Sequence, residues 1–272
     1  MDKLKRLQKT ELEILLEFQR ICHKYALQYY LVAGSLLGAV RHQGFIPWDD
    51  DIDVAMPRKD FKKFKAVCKS ELPEPYFYQD YKTDPNFFPC YAKLRKSGTQ
   101  MPEENFAGIS LHNGIFIDIF PLDKCPLNKN AAKFFFKVIG LLDRALQSHI
   151  GVKFCCGYTK RAAIIACRLL ALLPKQILYA IRACAIGLIN CLPCKRLCTV
   201  GGGYGYPRET YDTDWFGLPA ILPFEEHPFP VPKEFDKVLK NMYGDYMTFP
   251  DAALRKPHAD ISRVFFVKES HL

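Results

Sequence analysis

The chain has 272 residues, 49% of them hydrophobic and 25% charged, and its formal net charge at pH 7 is +9. This composition excludes an intrinsically disordered chain and fits one large domain or a domain that carries a sizeable insertion. The basic excess lies in residues 131–200, which contain eleven lysines and arginines and a single acid, Asp143. A charge confined to one segment excludes a uniformly basic nucleic-acid-binding protein and indicates a local anionic partner instead.

The N-terminal residues and the cysteines indicate where the protein works. The first residues are charged and polar and lead into no apolar run, which is not the pattern of a secretory signal. Eleven cysteines without such a signal are typical of reduced thiols. We therefore expect a cytoplasmic protein, which lies peripherally on the inner face of the membrane if its basic segment binds lipid.

The first predicted elements are a helix, a strand and the start of a second helix. Apolar residues at helical spacing predict a helix over 3–28. The β-prone run at 29–33 predicts a strand that ends at Gly34. Ser35 is a favourable N-cap in any protein and is predicted to begin a short helix, whose first backbone N–H groups are free to bind a phosphate.

Acidic and aliphatic residues alternate in the next predicted strand, over 51–56. The alternation puts Asp51 and Asp53 on one face, where the two carboxylates repel each other and are costly to bury without a cation. Oxygen ligands at this density suit Mg²⁺ or Mn²⁺, which bridge to substrate phosphates. The sequence therefore predicts a metal–phosphate site, with Asp49 and Asp50 either as solvated loop charges or as supports for the ligands.

Basic residues on both sides of this strand are candidates for binding phosphate. Arg41 and His42, in the preceding loop, either neutralise a diphosphate or form an ordinary solvated pair. Lys93 and Arg95 alternate along a strand predicted over 89–95, so they share one face. That face either supplies positive charge to phosphate oxygens or protects an exposed sheet edge from pairing.

A third carboxylate, Asp118, lies within an apolar strand predicted over 115–120. Because an unpaired buried charge is costly, Asp118 is either neutral and hydrogen-bonded, or reaches a cation, or caps the turn that follows the strand. If this strand is next to that of Asp51 and Asp53, the three carboxylates converge, hold one or two divalent ions and orient an attacking hydroxyl. His112, just before the strand, is a candidate for substrate binding.

The basic segment is predicted to be helical up to about Cys198, with breaks at Pro174 and Pro193. Four cations recur in it every seven residues: Arg161, Arg168, Lys175 and Arg182. This pattern favours either a helical surface that binds an anionic membrane or a helical cap that packs on the core with its charges in water. The remaining predicted elements are a helix over 57–69, a strand over 76–81 and a helix over 233–243.

Four stretches of the sequence resemble blocks of the LicD family, phosphorylcholine transferases of bacterial surface glycans that are related to fukutin and fukutin-related protein. The stretches are GSLLGAVRH at 34–42 with GFIPWDDDID at 44–53, KLR at 93–95, HNGIFIDIFPLD at 112–123, and the C-terminal block at 229–247. The resemblance implies an α+β fold, in which a nucleotidyltransferase-like core has a mixed β-sheet flanked by helices. We expect residues 1–130 to form the catalytic core, 131–200 a basic, apolar helical insertion, and 201–272 the part that completes the core.

The same resemblance implies the roles of the site residues. Gly34 and Ser35 would grip the donor phosphate, and Asp51 and Asp53 would hold Mg²⁺ or Mn²⁺. Asp118 would be the third acid, so that these three aspartates are the expected catalytic and metal-binding residues. The other candidate substrate-binding residues are Arg41, His42, Lys93, Arg95 and His112.

The implied reaction is the metal-dependent transfer of a substituted phosphoryl group from a CDP-linked donor. The leading expectation is phosphocholine from CDP-choline, transferred to a hydroxyl of a surface glycan or its lipid-linked precursor with release of CMP. Two alternatives stay open: a nucleotidyltransferase that moves an NMP from an NTP to an acceptor, and a catalytically inactive membrane-associated scaffold.

Overall fold

The computed structural model describes residues 2–151 and 161–266, except for the side chains of 161–163. The helices in these ranges are α1 (Lys3–Lys24), α2 (Ala33–His42), α3 (Arg58–Glu71), α4 (Lys129–His149), α5 (Arg161–Leu170), α6 (Lys175–Cys191) and α7 (Phe235–Tyr243). The strands are β1 (Tyr30–Leu31), β2 (Asp53–Pro57), β3 (Tyr76–Gln79), β4 (Ala92–Lys96), β5 (Ile115–Lys124), β6 (Arg196–Thr199), β7 (Thr210–Asp212), β8 (Ala220–Phe224) and β9 (His227–Val231).

Strands β1 to β7 form one mixed sheet. Its main path is β1-β2-β5-β4-β3, while β6 pairs with β5 and β7 pairs with β6. β2 and β5 are parallel, and the other neighbours in the sheet are antiparallel. β5 organises the sheet, because its first half pairs with β4 and its last three residues pair with β6.

The register of β2 and β5 brings two acidic residues side by side. Asp53 is opposite Asp118, and Val54 is opposite Ile119. The side chains of Val54 and Ile119 are fully buried. Since a slip of one residue would turn a whole strand's apolar side chains to the other face, the apolar pair fixes the register that places the two acids next to each other.

Helices α1 and α3 are joined through aromatic side chains. α1 is amphipathic, and its buried side chains include Ile14 and Phe18. The ring centroids of Phe18 and Phe64, which belongs to α3, are 4.8 Å apart. α1 also lies against β4 and β5, whereas α2 lies against β2, β8 and α7. The helices therefore hold β2 and β5, the two strands that carry acids, between packed layers.

Helices α4 and α6 bury a second apolar cluster, which includes Ile139 and Leu178. Arg182 of α6 is buried beside it, and its Nη1 donates to Asp143 Oδ1 at 2.5 Å and to the carbonyl oxygen of Phe88 at 2.7 Å. The expectation that Arg182 belongs to a row of exposed cations is therefore wrong. This side chain points inward because Asp143, the single acid of residues 131–200, is there to pair with it.

A buried carboxylate of the sheet, Asp123, is bonded both to α3 and to this helical segment. Arg58 Nε donates to Asp123 Oδ1 at 2.6 Å, and the side chain of Asp123 at the end of β5 is inaccessible to solvent. Asn190 Nδ2, from the last turn of α6, donates to the same Oδ1 at 2.7 Å. One carboxylate of β5 therefore holds both the start of α3 and the end of α6.

The structure confirms the predicted fold class, a mixed sheet flanked by helices. Strands β6 to β9 were not predicted, because they are short and combine prolines, aromatic and polar residues without a regular alternation. β6 lies at the end of the segment assigned to the insertion but pairs within the sheet. The division of the chain at residues 130 and 200 remains a prediction.

None of the described helices is by itself long and apolar enough to cross a membrane. Residues Ile164–Leu170 together with α6 have the length and composition of a span, but the two helices are bent by 114°. The cytoplasmic location expected from the sequence remains a prediction.

Candidate active site

A cavity of about 1230 Å³ lies beside β2, β4 and β5. Asp51, Asp53 and Asp118 are on its wall, together with Gly34 and Lys93. The rest of the wall comes from residues far apart in the chain: Trp48, Glu103, Gly201–Tyr204, Tyr243, Phe249 and His258. The cavity therefore collects the predicted acids, the first turn of α2 and the C-terminal part of the chain in one place.

The first turn of α2 is packed against the acidic residues. Ser35 is buried, and its Oγ accepts a hydrogen bond of 2.8 Å from the backbone N–H of Asp53. A Cβ atom on Gly34 would lie 2.7 Å from Asp49 Oδ2, closer than van der Waals contact permits. Glycine at 34 therefore lets the helix start approach the carboxylates, and Ser35 fixes the start of β2.

Burial and mutual repulsion raise the pKa values of the clustered acids. Burial, followed by the charges of Asp49, Asp50 and Asp118, raises the pKa of Asp51 to about 8. Burial, then Asp51 and Asp118, raises the pKa of Asp53 well above its usual range. Without a bound cation, carboxylates at this site are held partly protonated at neutral pH.

The donor set fits a divalent cation. Within the described residues, the carboxylates of Asp51 and Asp53 take part in no hydrogen bond or ion pair, although both line the cavity. One ligand atom each from Asp49, Asp51 and His258 lie within 4.8 Å of one another. Clustered carboxylate oxygens without protein partners are typical of sites for hard divalent ions.

His258 is a site residue that the sequence reasoning missed. The C-terminal loop reaches the acids because Asp50 accepts hydrogen bonds from the backbone N–H groups of His258 and Ala259, at 2.8 and 2.6 Å. His258 Nδ1 lies 3.5 Å from Asp50 Oδ1 and 4.0 Å from Asp49 Oδ1. The two partners are about two hundred residues apart, and no local pattern signals such a contact.

Lys93 neutralises part of the acidic cluster. Its side chain is buried, with Nζ 2.8 Å from Asp118 Oδ1 and 3.0 Å from Glu103 Oε2. Nζ also lies 3.3 Å from the centroid of the Phe116 ring. Burial raises the pKa of Asp118, whereas the ammonium group of Lys93 opposes this shift. Glu103, which the sequence reasoning also missed, places a second carboxylate on the same lysine.

Arg95 and His112 lie outside the cavity wall. Arg95 is fully buried and donates to Gln79 Oε1 and Glu103 Oε1, both at 2.5 Å. His112 Nε2 is 3.0 Å from Ser97 Oγ, and its ring stacks on Phe77 at 4.7 Å. Arg95 therefore holds Glu103 beside Lys93. His112 belongs to a loop outside the cavity wall.

Arg41 is on the cavity wall and His42 is behind it. Arg41 Nη1 donates to the carbonyl oxygen of Tyr246 at 3.0 Å, and its guanidinium carbon lies 4.4 Å from the centroid of Phe249. His42 Nε2 accepts from Arg41 Nε at 3.1 Å, and its ring faces Trp48 and Phe249 edge-on. Arg41 therefore presents a cation at the aromatic side of the cavity.

A pair of tyrosines and a buried carboxylate form another part of the wall. The rings of Tyr204 and Tyr243 are perpendicular, with centroids 5.5 Å apart. Glu209 accepts from the backbone N–H of Gly205 at 2.6 Å, and burial raises its pKa to about 7. A Cβ on Gly202 would overlap the Glu209 carboxylate, so this glycine lets the loop close around it. Aromatic rings beside a carboxylate are suited to binding an organic cation.

Comparison with known proteins gives one match over most of the chain and two short ones. Residues 26–126 match the family model described as LicD/FKTN/FKRP, nucleotidyltransferase domain. The chain is 29% identical over 261 residues to the lipopolysaccharide cholinephosphotransferase LicD of Haemophilus influenzae. The aligned residues make up 91% of this chain and 92% of that protein. Uncharacterized proteins of Rickettsia typhi and Rickettsia prowazekii are 36% identical over 55 residues and 40% identical over 48, each over 18% of its own length. The range matched by the family model contains β1 to β5, and with them Asp51, Asp53 and Asp118.

Proposed function

Because the chain belongs to the LicD/FKTN/FKRP family and is a LicD-type phosphotransferase, we propose that it transfers phosphocholine from CDP-choline to a hydroxyl of a surface glycan or its lipid-linked precursor and releases CMP. The observation that carries this proposal is the pair of half-buried, unpaired carboxylates of Asp51 and Asp53 on the wall of a large cavity, next to the start of α2. The acceptor class is suggested by the Haemophilus influenzae relative, whose name specifies lipopolysaccharide.

Asp51 and Asp53 are the residues that we expect to hold Mg²⁺ or Mn²⁺. The remaining ligands are Asp118, as expected from the sequence, or Asp49 and His258, which the geometry places near Asp51. When bound, such an ion supplies positive charge to the diphosphate of the donor. The raised pKa values of Asp49 and Asp51 support this assignment, because burial and then mutual repulsion disfavour the ionised carboxylates, whereas a bound cation favours them.

Asp118 is the residue that we expect to receive the proton of the acceptor hydroxyl. In the transfer, a bond forms between the acceptor oxygen and the choline-bearing phosphorus, while the bond from that phosphorus to the oxygen of CMP breaks. Lys93 supports this role because its ammonium group, 2.8 Å from Asp118 Oδ1, favours the ionised carboxylate. An ionised, oriented carboxylate is what a general base requires.

The first turn of α2 and Arg41 are placed to receive the donor phosphates. The backbone N–H groups at the start of α2 lie on the wall beside the acids, where the helix favours negative charge. Arg41 adds a cation on the same wall. These groups bind and orient the diphosphate in line with the acceptor hydroxyl.

The cavity also offers groups that suit the positively charged head group of the donor. Choline is a quaternary ammonium ion, and such ions are attracted to the faces of aromatic rings and to carboxylates. Tyr204, Tyr243 and Glu209 provide these groups on the cavity wall. We therefore assign the head group to this tyrosine side of the cavity.

The proposal is tested by incubating the purified chain with CDP-choline, Mg²⁺ and a lipopolysaccharide acceptor, and measuring CMP and acceptor-bound choline. We expect both products in equal amounts, and about a 100-fold or greater loss of turnover in Asp51→Asn and in Asp53→Asn. Asp212→Asn, a change at an exposed residue of β7, is the matched control and should keep normal rates.

Three outcomes would contradict the proposal. Release of pyrophosphate from an NTP, with the NMP joined to the acceptor, would indicate a nucleotidyltransferase. Failure of a range of CDP-linked donors to give CMP with either Mg²⁺ or Mn²⁺ would indicate an inactive scaffold. Normal turnover in both aspartate variants would remove the metal-binding role from Asp51 and Asp53.

A further inference from the structure

α6 has an exposed face without charge. Ile177, Ile181 and Leu188 recur on it at helical spacing, and Leu188 is 64% exposed. The other exposed positions from 177 to 191 are also uncharged: Ala180, Ala183, Cys184, Gly187 and Cys191. A helix face on a folded protein that exposes several large aliphatic residues and no charge indicates an interaction site.

α5 and the turn between the two helices also expose large aliphatic side chains. Ile165 and Leu169 of α5 are 56% and 61% exposed, and Leu172 in the turn is 79% exposed. Large aliphatic side chains are therefore presented to solvent along both helices of this bent pair, whereas side chains on their other faces, such as Cys167 and Leu178, are buried.

The exposed charges of the helical segment are positive. Lys133, Lys137, Arg168 and Lys195 are exposed, and none of them forms an ion pair with a described residue. Asp143, the single acid of residues 131–200, is used by the buried Arg182. The surface of the helical segment therefore attracts anions without offering a carboxylate of its own.

The orientation of α6 is fixed from inside the protein. Leu178, Arg182 and Ile186 are buried on one side of the helix, and Arg182 is held by Asp143 and Phe88. α6 has 17 residues and a length of about 25 Å at 1.5 Å per residue, with one face already used. It therefore lies along a surface with its apolar side outward and is not free to insert across a bilayer.

We propose that the exposed face of α5 and α6 docks on the surface of an anionic phospholipid bilayer. Apolar side chains enter the boundary between head groups and acyl chains, while the surrounding lysines and arginines contact lipid phosphates. A second copy of the chain is a poorer occupant, because it would bring an equal excess of positive charge against this surface. The inference does not depend on the proposed reaction, since it concerns binding to lipid alone.

The experiment is sedimentation of the full chain with vesicles of phosphatidylcholine, with or without phosphatidylglycerol. We expect binding to the anionic vesicles and little binding to phosphatidylcholine alone. The double variant Ile181→Glu/Leu188→Glu should lower the partition coefficient about tenfold or more, because it puts charge on the apolar face. The matched control is Leu218→Glu/Ile221→Glu, which changes two exposed aliphatic residues, one just before β8 and one in it, and should bind normally.

A second pair of measurements tests the electrostatic contribution. Lys133→Glu/Lys137→Glu should also lower binding to phosphatidylglycerol vesicles about tenfold or more. Salt at about 1 M, where the Debye length is about 3 Å, should have a similar effect on the unmodified chain. Circular dichroism of each variant establishes that the fold is kept, which the exposure of all the changed positions leads us to expect.

Several results would overturn the proposal. One is an unmodified chain that does not sediment with anionic vesicles. Another is equal binding by the α6 variant and its β8 control. A third is a dimer, measured by light scattering, that Ile181→Glu/Leu188→Glu dissociates while vesicle binding is absent, since the face would then be an interface between copies.

Discussion

The hydroxyl oxygen of Ser35 accepts a hydrogen bond of 2.8 Å from the backbone N–H of Asp53. The sequence reasoning assigned this serine to the donor phosphate, whereas in the structure its side chain is buried and connects the first turn of α2 to the first residue of β2. Ser35 thereby positions Asp53, which is a role distinct from contact with substrate.

Ser35→Ala separates the two roles. If the serine positions Asp53, the variant should unfold with a free energy lower by about 1 kcal/mol and should lose affinity for the divalent cation and kcat together. The measurements are urea unfolding, Mn²⁺ titration and steady-state kinetics, with Ser70→Ala on the exposed end of α3 as the control. A rise in KM for the donor without a change in stability or cation affinity would instead support the phosphate role.

The ion pair of Lys93 and Asp118 predicts a shift in the pH profile. Lys93→Met removes the ammonium group that opposes the rise in the pKa of Asp118, so this pKa should increase. Because the base must be ionised, the acidic limb of the kcat profile should move to higher pH, whereas Lys93→Arg should move it less. Lys96→Met, which breaks a partly exposed pair with Glu13, is the control. An unchanged limb in Lys93→Met would show that Asp118 is not the group that titrates.

The acidic cluster predicts a dependence of stability on pH and on divalent cations. Asp49 and Asp51 have pKa values raised to about 7 and about 8, and burial followed by Asp51 also raises the pKa of Glu11 beneath them. Each group binds protons more tightly in the folded state, so the free energy of unfolding of the metal-free chain should fall as pH rises from about 4 to about 8. Thermal unfolding in the presence of a chelator measures this decline.

Mn²⁺ should reverse the loss of stability more strongly near pH 8 than at lower pH, because the ligands are less protonated there and the ion displaces fewer protons. At a concentration one hundred times its Kd the ion should add about 2.7 kcal/mol to the free energy of unfolding. Asp51→Asn should weaken both the pH dependence and the effect of the ion. Equal Tm values with Mn²⁺ and with chelator at pH 8 would count against a metal site among these residues.

The pair of Arg58 and Asp123 predicts a change in stability without a direct effect on the site. Asp123→Ala leaves the Arg58 guanidinium without its carboxylate and Asn190 without its acceptor, so the free energy of unfolding should fall by about 3 kcal/mol. Asp212→Asn, which removes a partner of the more exposed Arg196, should change it by less than about 1 kcal/mol. A similar small effect for both variants would mean that the bonds of Asp123 to Arg58 and Asn190 do not stabilise the fold.

The part of the site that was predictable from the sequence lies on regular elements. Asp53 and Asp118 could each be assigned to a strand, because apolar residues flank both of them. That the two strands are neighbours was a condition of the prediction, and the structure supplies it by pairing Asp53 with Asp118. The convergence of Asp49 and Asp51 with His258 could not be predicted, because it depends on a C-terminal loop held by two backbone hydrogen bonds to Asp50. Contacts between segments so far apart in the chain produce no periodic pattern in the sequence.

Arg95 and Arg182 show a second reason why the structure could not be fully predicted from the sequence. Both were interpreted as exposed or substrate-facing cations, and both are buried. Arg95 pairs with Glu103 in the following loop, and Arg182 pairs with Asp143 of another helix. Periodicity shows which residues share a face of an element but does not show which face turns inward when both carry apolar neighbours. Each arginine faces inward because the acid with which it pairs, Glu103 or Asp143, lies on that side.

β5 carries Asp118 at its fourth position and Asp123 at its ninth, on opposite faces of one strand. Gaining or losing a single residue between them would swing one of these carboxylates to the wrong side, so that either the cavity would lose an acid or Arg58 would face an aliphatic side chain. This strand thus tolerates exchange of its apolar residues but no change in its length, and homologues are expected to keep the spacing of five even where the residues between differ.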